Sequence, residues 1–118
     1  MAGVVHVPWY ATGFRGDTLE QALEEISRLS LRYGATSYHV YRYRDDRYRF
    51  LQVIAWDEKL DWERYWEGPE FIDFRIVNSS HYQVPVVYGW TDLVTSGSIQ
   101  LEPARAQVGG PVEGDLAG

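Results

Sequence analysis

His6, His39 and His81 are the side chains of this 118-residue chain best placed to exchange protons near neutral pH, because there is no cysteine. An imidazole that titrates at about 6.5 can take a proton from a phenolic hydroxyl. His39 and His6, each within a strand-like run, are the rival bases; His81 follows Ser79-Ser80 in a loop and ranks behind them. Against each stands the plainer reading of an ordinary strand or surface histidine. The second group with chemical promise lies further on. Phe71, Phe74, Arg75 and Asn78 fall at i, i+3, i+4 and i+7, which places them on one helix face. Polar groups on an apolar face need partners, so Arg75 and Asn78 either pair internally or orient a substrate in a cavity. Trp62, Tyr65 and Trp66 precede them, and Tyr41 and Tyr82 complete the candidate binding residues. Trp66 could line a pocket or simply pack between helix and sheet.

The elements that must position these groups are legible in turn. Val4–Ala11 is rich in β-formers, with Pro8 marking an edge or a bulge. Asp17 and Glu20 form an acidic capping box. Leu19, Ala22, Leu23, Ile26, Leu29 and Tyr33 then keep helical spacing up to a stop at Gly34. Thr36–Arg44 and Tyr48–Trp56 read as a hairpin about Asp45-Asp46. Asp57 caps a helix over Glu58–Trp66, Gly68 interrupts it, and Pro69 sits at the first position of the next helix. Tyr82–Val94 closes as a strand broken near Pro85. These elements make one α+β domain over residues 1–96: a ferredoxin-like βαββαβ sandwich, with a four-stranded antiparallel sheet and helices on one face. Residues 97–118 read as a Gly/Pro-rich tail, with a short strand near 98–102. That tail is a remnant without a fold or a peptide docked by a partner.

Bulk composition bounds the function. Five Trp, nine Tyr and four Phe amount to 15% aromatics. So many rings exceed what a small core hides, which directs some to a pocket or subunit interface. Both alternating sets of the hairpin strand carry apolar residues: Phe50, Ile54 and Trp56 on one side, Leu51, Val53 and Ala55 on the other. A sheet with helices on one face only would alternate more cleanly. A homodimer with sheet packed on sheet supplies the missing cover. A net charge of −6 argues against nucleic acid. No apolar run approaches the ~18 residues of a membrane span. No basic segment precedes the short N-terminal apolar run, so a cytoplasmic protein is expected. Metal sites, Ser-His-Asp spacing and phosphate-binding glycine loops are not evident.

Trp56-Asp57, the run Trp62-Glu63-Arg64-Tyr65-Trp66-Glu67-Gly68-Pro69-Glu70-Phe71, and Phe74-Arg75 resemble the signature of antibiotic-biosynthesis-monooxygenase-like domains. These are dimeric α+β barrels, and the resemblance covers roughly Val4 to Val94. It implies cofactor-independent oxygenation of an aromatic polyketide, anthrone or quinol-like molecule. A base removes a proton, and the electron-rich anion reacts with oxygen directly. On that reading His39, Trp66 and His6 are catalytic candidates, and Arg75, Asn78, Phe71, Tyr41, Trp62 and Tyr82 bind the substrate. The alternatives are a polyketide cyclase or dehydratase of the same fold, and a small-molecule-binding dimer without catalysis. The haem-degrading branch fits poorly: Trp66 matches its Trp, but the first strand carries His6 in place of Asn, and Arg75 stands roughly where a His belongs.

Overall fold

The structure, a computed structural model, describes residues 1–100. Along Gly3–Tyr10 (β1), Gly3, Val5, Val7 and Trp9 are buried, while Val4, His6, Pro8 and Tyr10 are half-buried or exposed. Such a strand turns one face to the core and leaves the other uncovered. Arg49–Trp56 (β3) repeats the pattern, with Phe50, Gln52, Ile54 and Trp56 inward. It pairs antiparallel with β1, so that Val5 meets Ile54 and Trp9 meets Phe50. Ala35–Arg42 (β2) flanks β3, and Gly89–Thr91 (β4) flanks β1, giving the order β2-β3-β1-β4. With the helices on one face this is the ferredoxin-like α+β sandwich expected from the sequence.

Gly16–Leu29 (α1) lays Leu19, Leu23 and Ile26 on the sheet and ends in a 3-10 turn, Ser30–Tyr33. Gly34 then takes φ 110°, the left-handed conformation that ends helices and favours glycine. The expected capping box does not form. Arg15 is the N-cap and receives no side-chain hydrogen bond. The carboxylates of Asp17 and Glu20 instead hold the Arg42 guanidinium, at 2.8 and 3.0 Å. Arg42 also donates from Nε to the Arg47 carbonyl at 2.8 Å and lies 5.1 Å from the Phe50 ring centre. A charged donor within reach outcompetes a backbone N–H for a carboxylate. That bond to Arg42 holds the Asp17 carboxyl below its ordinary range.

Lys59–Trp66 (α2) is capped by Glu58 rather than Asp57. Gly68 caps Pro69–Val77 (α3), with Pro69 at the first helical turn as expected. A Cβ on Gly68 would lie 2.6 Å from the Arg64 carbonyl, so only glycine lets the two helices turn so tightly. The final strand is much shorter than Tyr82–Val94. Regular pairing is confined to Gly89–Thr91, preceded by an isolated bridge between Ala11 and Tyr82. The β1–β3 ladder runs through Pro8 without the bulge expected there, pairing it with Leu51, whereas β4 pairs only with Val4, Val5 and His6. Pro8 and Pro85 have no N–H to extend that second ladder. Residues 92–100 are exposed and belong to no element, including 98–100, where a short strand was expected. The rest of the expected tail, from residue 101, lies outside the described residues.

Buried polar groups pin the sheet to α1. The Trp9 indole donates to the Gln52 carbonyl oxygen at 3.0 Å, and the Gln52 amide donates to Ser27 Oγ at 2.7 Å. All three residues are buried. Replacing Gln52 with Leu would strand the indole N–H, a loss of about 1–3 kcal/mol. Urea unfolding should show it as a lower midpoint at unchanged slope, and a loss near zero would mean that the chain is not structural.

Candidate aromatic and arginine site

Residues i, i+3 and i+4 of a helix share a face, so α2 presents Trp62, Tyr65 and Trp66 together to the sheet. The same rule groups Phe71, Phe74, Arg75 and Asn78 on α3, as the sequence predicts. The two faces meet over Trp9. Phe71 stacks on Trp9 at 6.2 Å between ring centres, and Phe74 and Tyr82 meet it edge-on at 5.5 and 5.1 Å. Trp62 and Tyr65 are fully buried, and burial pushes the Tyr65 phenol far up, so it stays neutral. Burial likewise raises Tyr82, whose hydroxyl donates to the Arg75 carbonyl at 3.3 Å.

Trp66 and Arg75 form the polar centre of this cluster. The Arg75 guanidinium lies over the Trp66 ring at 4.4 Å and 5.1 Å from the Phe71 ring centre. Its Nη2 donates to the Trp66 carbonyl at 2.9 Å, but the buried Nη1 finds no acceptor. The buried indole nitrogens of Trp62 and Trp56 are equally unpaired. Aromatic walls fitted with unpaired donors suit a planar ligand that carries oxygen, above all an anionic oxygen. Among the described residues, none of the larger clefts borders Trp62, Trp66, Phe71 or Arg75, whose rings and guanidinium pack on one another between sheet and helices. Two surface clefts of about 270 to 280 Å³ reach only the margins of the cluster, one bordered by Trp56, Gly3 and Asp92 and one by Trp9, Arg49 and Val84. Two more, of about 260 to 280 Å³, lie apart from it, one bordered by Glu24, Arg28 and His39 and one by Tyr41, Tyr43 and Leu51.

The structure thus divides the candidates. It brings together Trp66, Trp62, Phe71, Arg75 and Tyr82. Asn78 shares their helix but engages its amide locally: Nδ2 donates to the Phe74 carbonyl at 3.0 Å, and Oδ1 meets His81 Nδ1 at 3.0 Å. The Asn78 oxygen can only accept, so His81 donates to it from Nδ1. His6, His39 and Tyr41 are on the uncovered face of the sheet. Val53 stands opposite both His39 and His6, so the three form one row across β2, β3 and β1. The His39 and Tyr41 rings stack at 6.1 Å. The backbone of the sheet separates this row from Trp66, and within one chain no base candidate of that row reaches the aromatic cluster. Trp9 and Tyr88, both in contact with Trp66, were not singled out from the sequence. Trp9 had a signal, its two-residue phase with Val5 and Val7; Tyr88 had none, because it lies in irregular chain.

Among the described residues, no group of three or more His, Asp or Glu side chains is placed to hold a metal ion. No described helix is long and apolar enough to cross a membrane.

No family model matches the chain, and no curated protein matches it. Solved structures do. A protein from Pseudomonas aeruginosa superposes with a TM-score of 0.71 at 19% identity, over 80% of this chain and 95% of its own. A Nitrosomonas europaea protein described as a candidate antibiotic biosynthesis monooxygenase gives 0.71 at 17% identity, over 81% and 94%. SnoaB, a cofactor-independent oxygenase from Streptomyces nogalater, gives 0.70 at 12% identity, over 80% and 95%. The chain has the fold of antibiotic-biosynthesis-monooxygenase proteins, as its resemblance implied, and identities this low speak to fold alone.

If Arg75 is kept for a ligand rather than for the core, Arg75→Met should change stability by no more than about 1 kcal/mol. The lost cation–π contact and carbonyl bond are offset by removal of an unpaired buried N–H. Thermal unfolding of the variant checks this, and a loss of several kcal/mol would make Arg75 structural.

Proposed function

We propose that this protein is a cofactor-independent monooxygenase for an aromatic polyketide, anthrone or quinol-like substrate, working as a homodimer. One observation carries the reading: a buried guanidinium N–H without an acceptor, enclosed by Trp66 and Phe71. A phenol or enol bound there with its oxygen toward Arg75 has its anionic form stabilised by an adjacent cation, which lowers its pKa and lets the proton pass to water. The anion then reduces oxygen directly. For an anthrone, the methylene carbon forms a bond to O₂ to give a hydroperoxide. Loss of water leaves a carbonyl, so one oxygen atom enters the product and the other leaves as water. The low polarity of the surrounding rings strengthens the Arg75 interaction. The activity described for SnoaB, which shares the fold, supports this choice of chemistry.

The uncovered sheet face supports the dimer. Val4, Leu51, Val53 and Ala55 are half-buried there and Tyr41 is 54% exposed, an apolar surface that a second copy would cover. In this arrangement His6 and His39 belong to the interface. A second reading, a small-molecule-binding dimer without catalysis, is favoured by the filling of the cluster with its own rings.

Oxygen uptake by the metal-free protein with anthrones, naphthols and quinols tests the reading. Turnover should exceed background and fall by about 10²-fold or more in Arg75→Met, the scale of losing one oxyanion donor. Binding without uptake would favour the non-catalytic dimer. For the interface, light scattering should give the wild type twice the mass of Leu51→Glu, and a monomeric wild type would refute the dimer.

A further inference from the structure

We propose that Trp66 is a plug: its indole fills the binding slot of a planar, fused-ring aromatic anion, which binds by displacing it. The inference rests on the reading of the aromatic cluster as the site, and it names the ligand and the side chain that must move. The Trp66 ring is surrounded as an aromatic ligand would be. Trp62 stacks on it at 5.1 Å and 29°, Phe71 lies at 4.8 Å, and Tyr88 meets it edge-on at 5.5 Å. The Arg75 guanidinium covers its face at 4.4 Å. Stacked, edge-on and cationic neighbours are the partners that an electron-rich ring prefers.

What the indole does not satisfy is the polarity of these walls. Arg75 Nη1 and Trp62 Nε1 are both buried donors without acceptors. Trp66 supplies a ring to this slot but no oxygen atom for these donors. A ring of the same size bearing a hydroxylate or carbonyl would supply both. Trp66 is also the wall member built to leave. It is only half-buried, whereas Trp62 and Phe71 are fully buried. It is the last residue of α2, directly before the break at Gly68 and Pro69, so its side chain can swing without disturbing a helix interior. The size of an indole sets the ligand at two fused rings inside the slot, with any third ring projecting through the exposed side. The Arg75 cation and its unpaired N–H favour an anionic oxygen and repel an ammonium group.

The test is anaerobic calorimetric titration of the full-length protein with 2-naphthol and with the cation of 1-naphthylmethylamine. Emptying the slot by Trp66→Ala should tighten 2-naphthol at least tenfold over wild type, and adding Arg75→Met should remove about that gain. The ammonium should not bind. A folded Trp66→Ala that gains nothing, or that takes the ammonium equally well, overturns the proposal. If Trp66→Ala does not fold, Trp66→Leu replaces it. In the wild type labelled with 5-fluorotryptophan, one of five fluorine resonances, identified by its loss in Trp66→Phe, should move on saturation with 2-naphthol. An unmoved resonance in a saturated protein also overturns it. Because oxygen is excluded, the two readings fail separately. Binding with displacement but no oxygen uptake sinks only the monooxygenase, and uptake without the gain in Trp66→Ala sinks only the plug.

Discussion

The indole N–H of Trp9 must be satisfied inside the core, and the way this is done orients everything above it. Gln52 accepts from Trp9 and passes a hydrogen bond to Ser27, which ties β1, β3 and α1 into one unit. With the Trp9 ring fixed, Phe71, Phe74 and Tyr82 pack on its face and edges, and the positions of α3 and of the segment after it follow. A buried polar chain of this kind specifies geometry more sharply than apolar packing, because leaving any member unpaired is costly.

Against that satisfied chain, the unpaired donors of Trp62, Trp56 and Arg75 stand out. All belong to the same aromatic layer, and each costs free energy when it has no acceptor. These unpaired donors are the feature on which the proposed ligand site rests. Arg75 is held in place by its bond to the Trp66 carbonyl and by the two rings that flank it, so its free N–H is fixed in direction before any ligand arrives. Such preorganisation is what electrostatic stabilisation of a developing oxyanion requires.

The two faces of the sheet have different chemistry. The inner face is aromatic and rich in donors. The outer face carries the row His39, Val53 and His6 within an apolar surface. The imidazoles are thereby separated from the guanidinium by a layer of backbone. Tyr33 joins the two helical regions at the rim, donating to the Glu70 carboxylate, which this bond holds below its ordinary range.

What the sequence by itself determined was local. Apolar spacing located α1, the order of Gly68 and Pro69 broke α2 from α3, and the i, i+3, i+4 rule placed Phe71, Phe74 and Arg75 on one face. Apolar residues in both alternating sets of β3 announced that the sheet face without helices would also be apolar. Only the tertiary structure decided which partner each polar group would choose. Asp17 and Glu20, legible as a capping box, went to Arg42, because a guanidinium from a distant strand binds a carboxylate more strongly than a nearby N–H. His39 and Trp66, both reasonable site residues, fell on opposite faces. The side of a sheet that a residue faces depends on ladder parity shared between strands, and a single shift reverses it. Trp66 itself read equally well as core or as pocket, and its place beneath Arg75 came from two helices meeting over a third element, which no local spacing encodes.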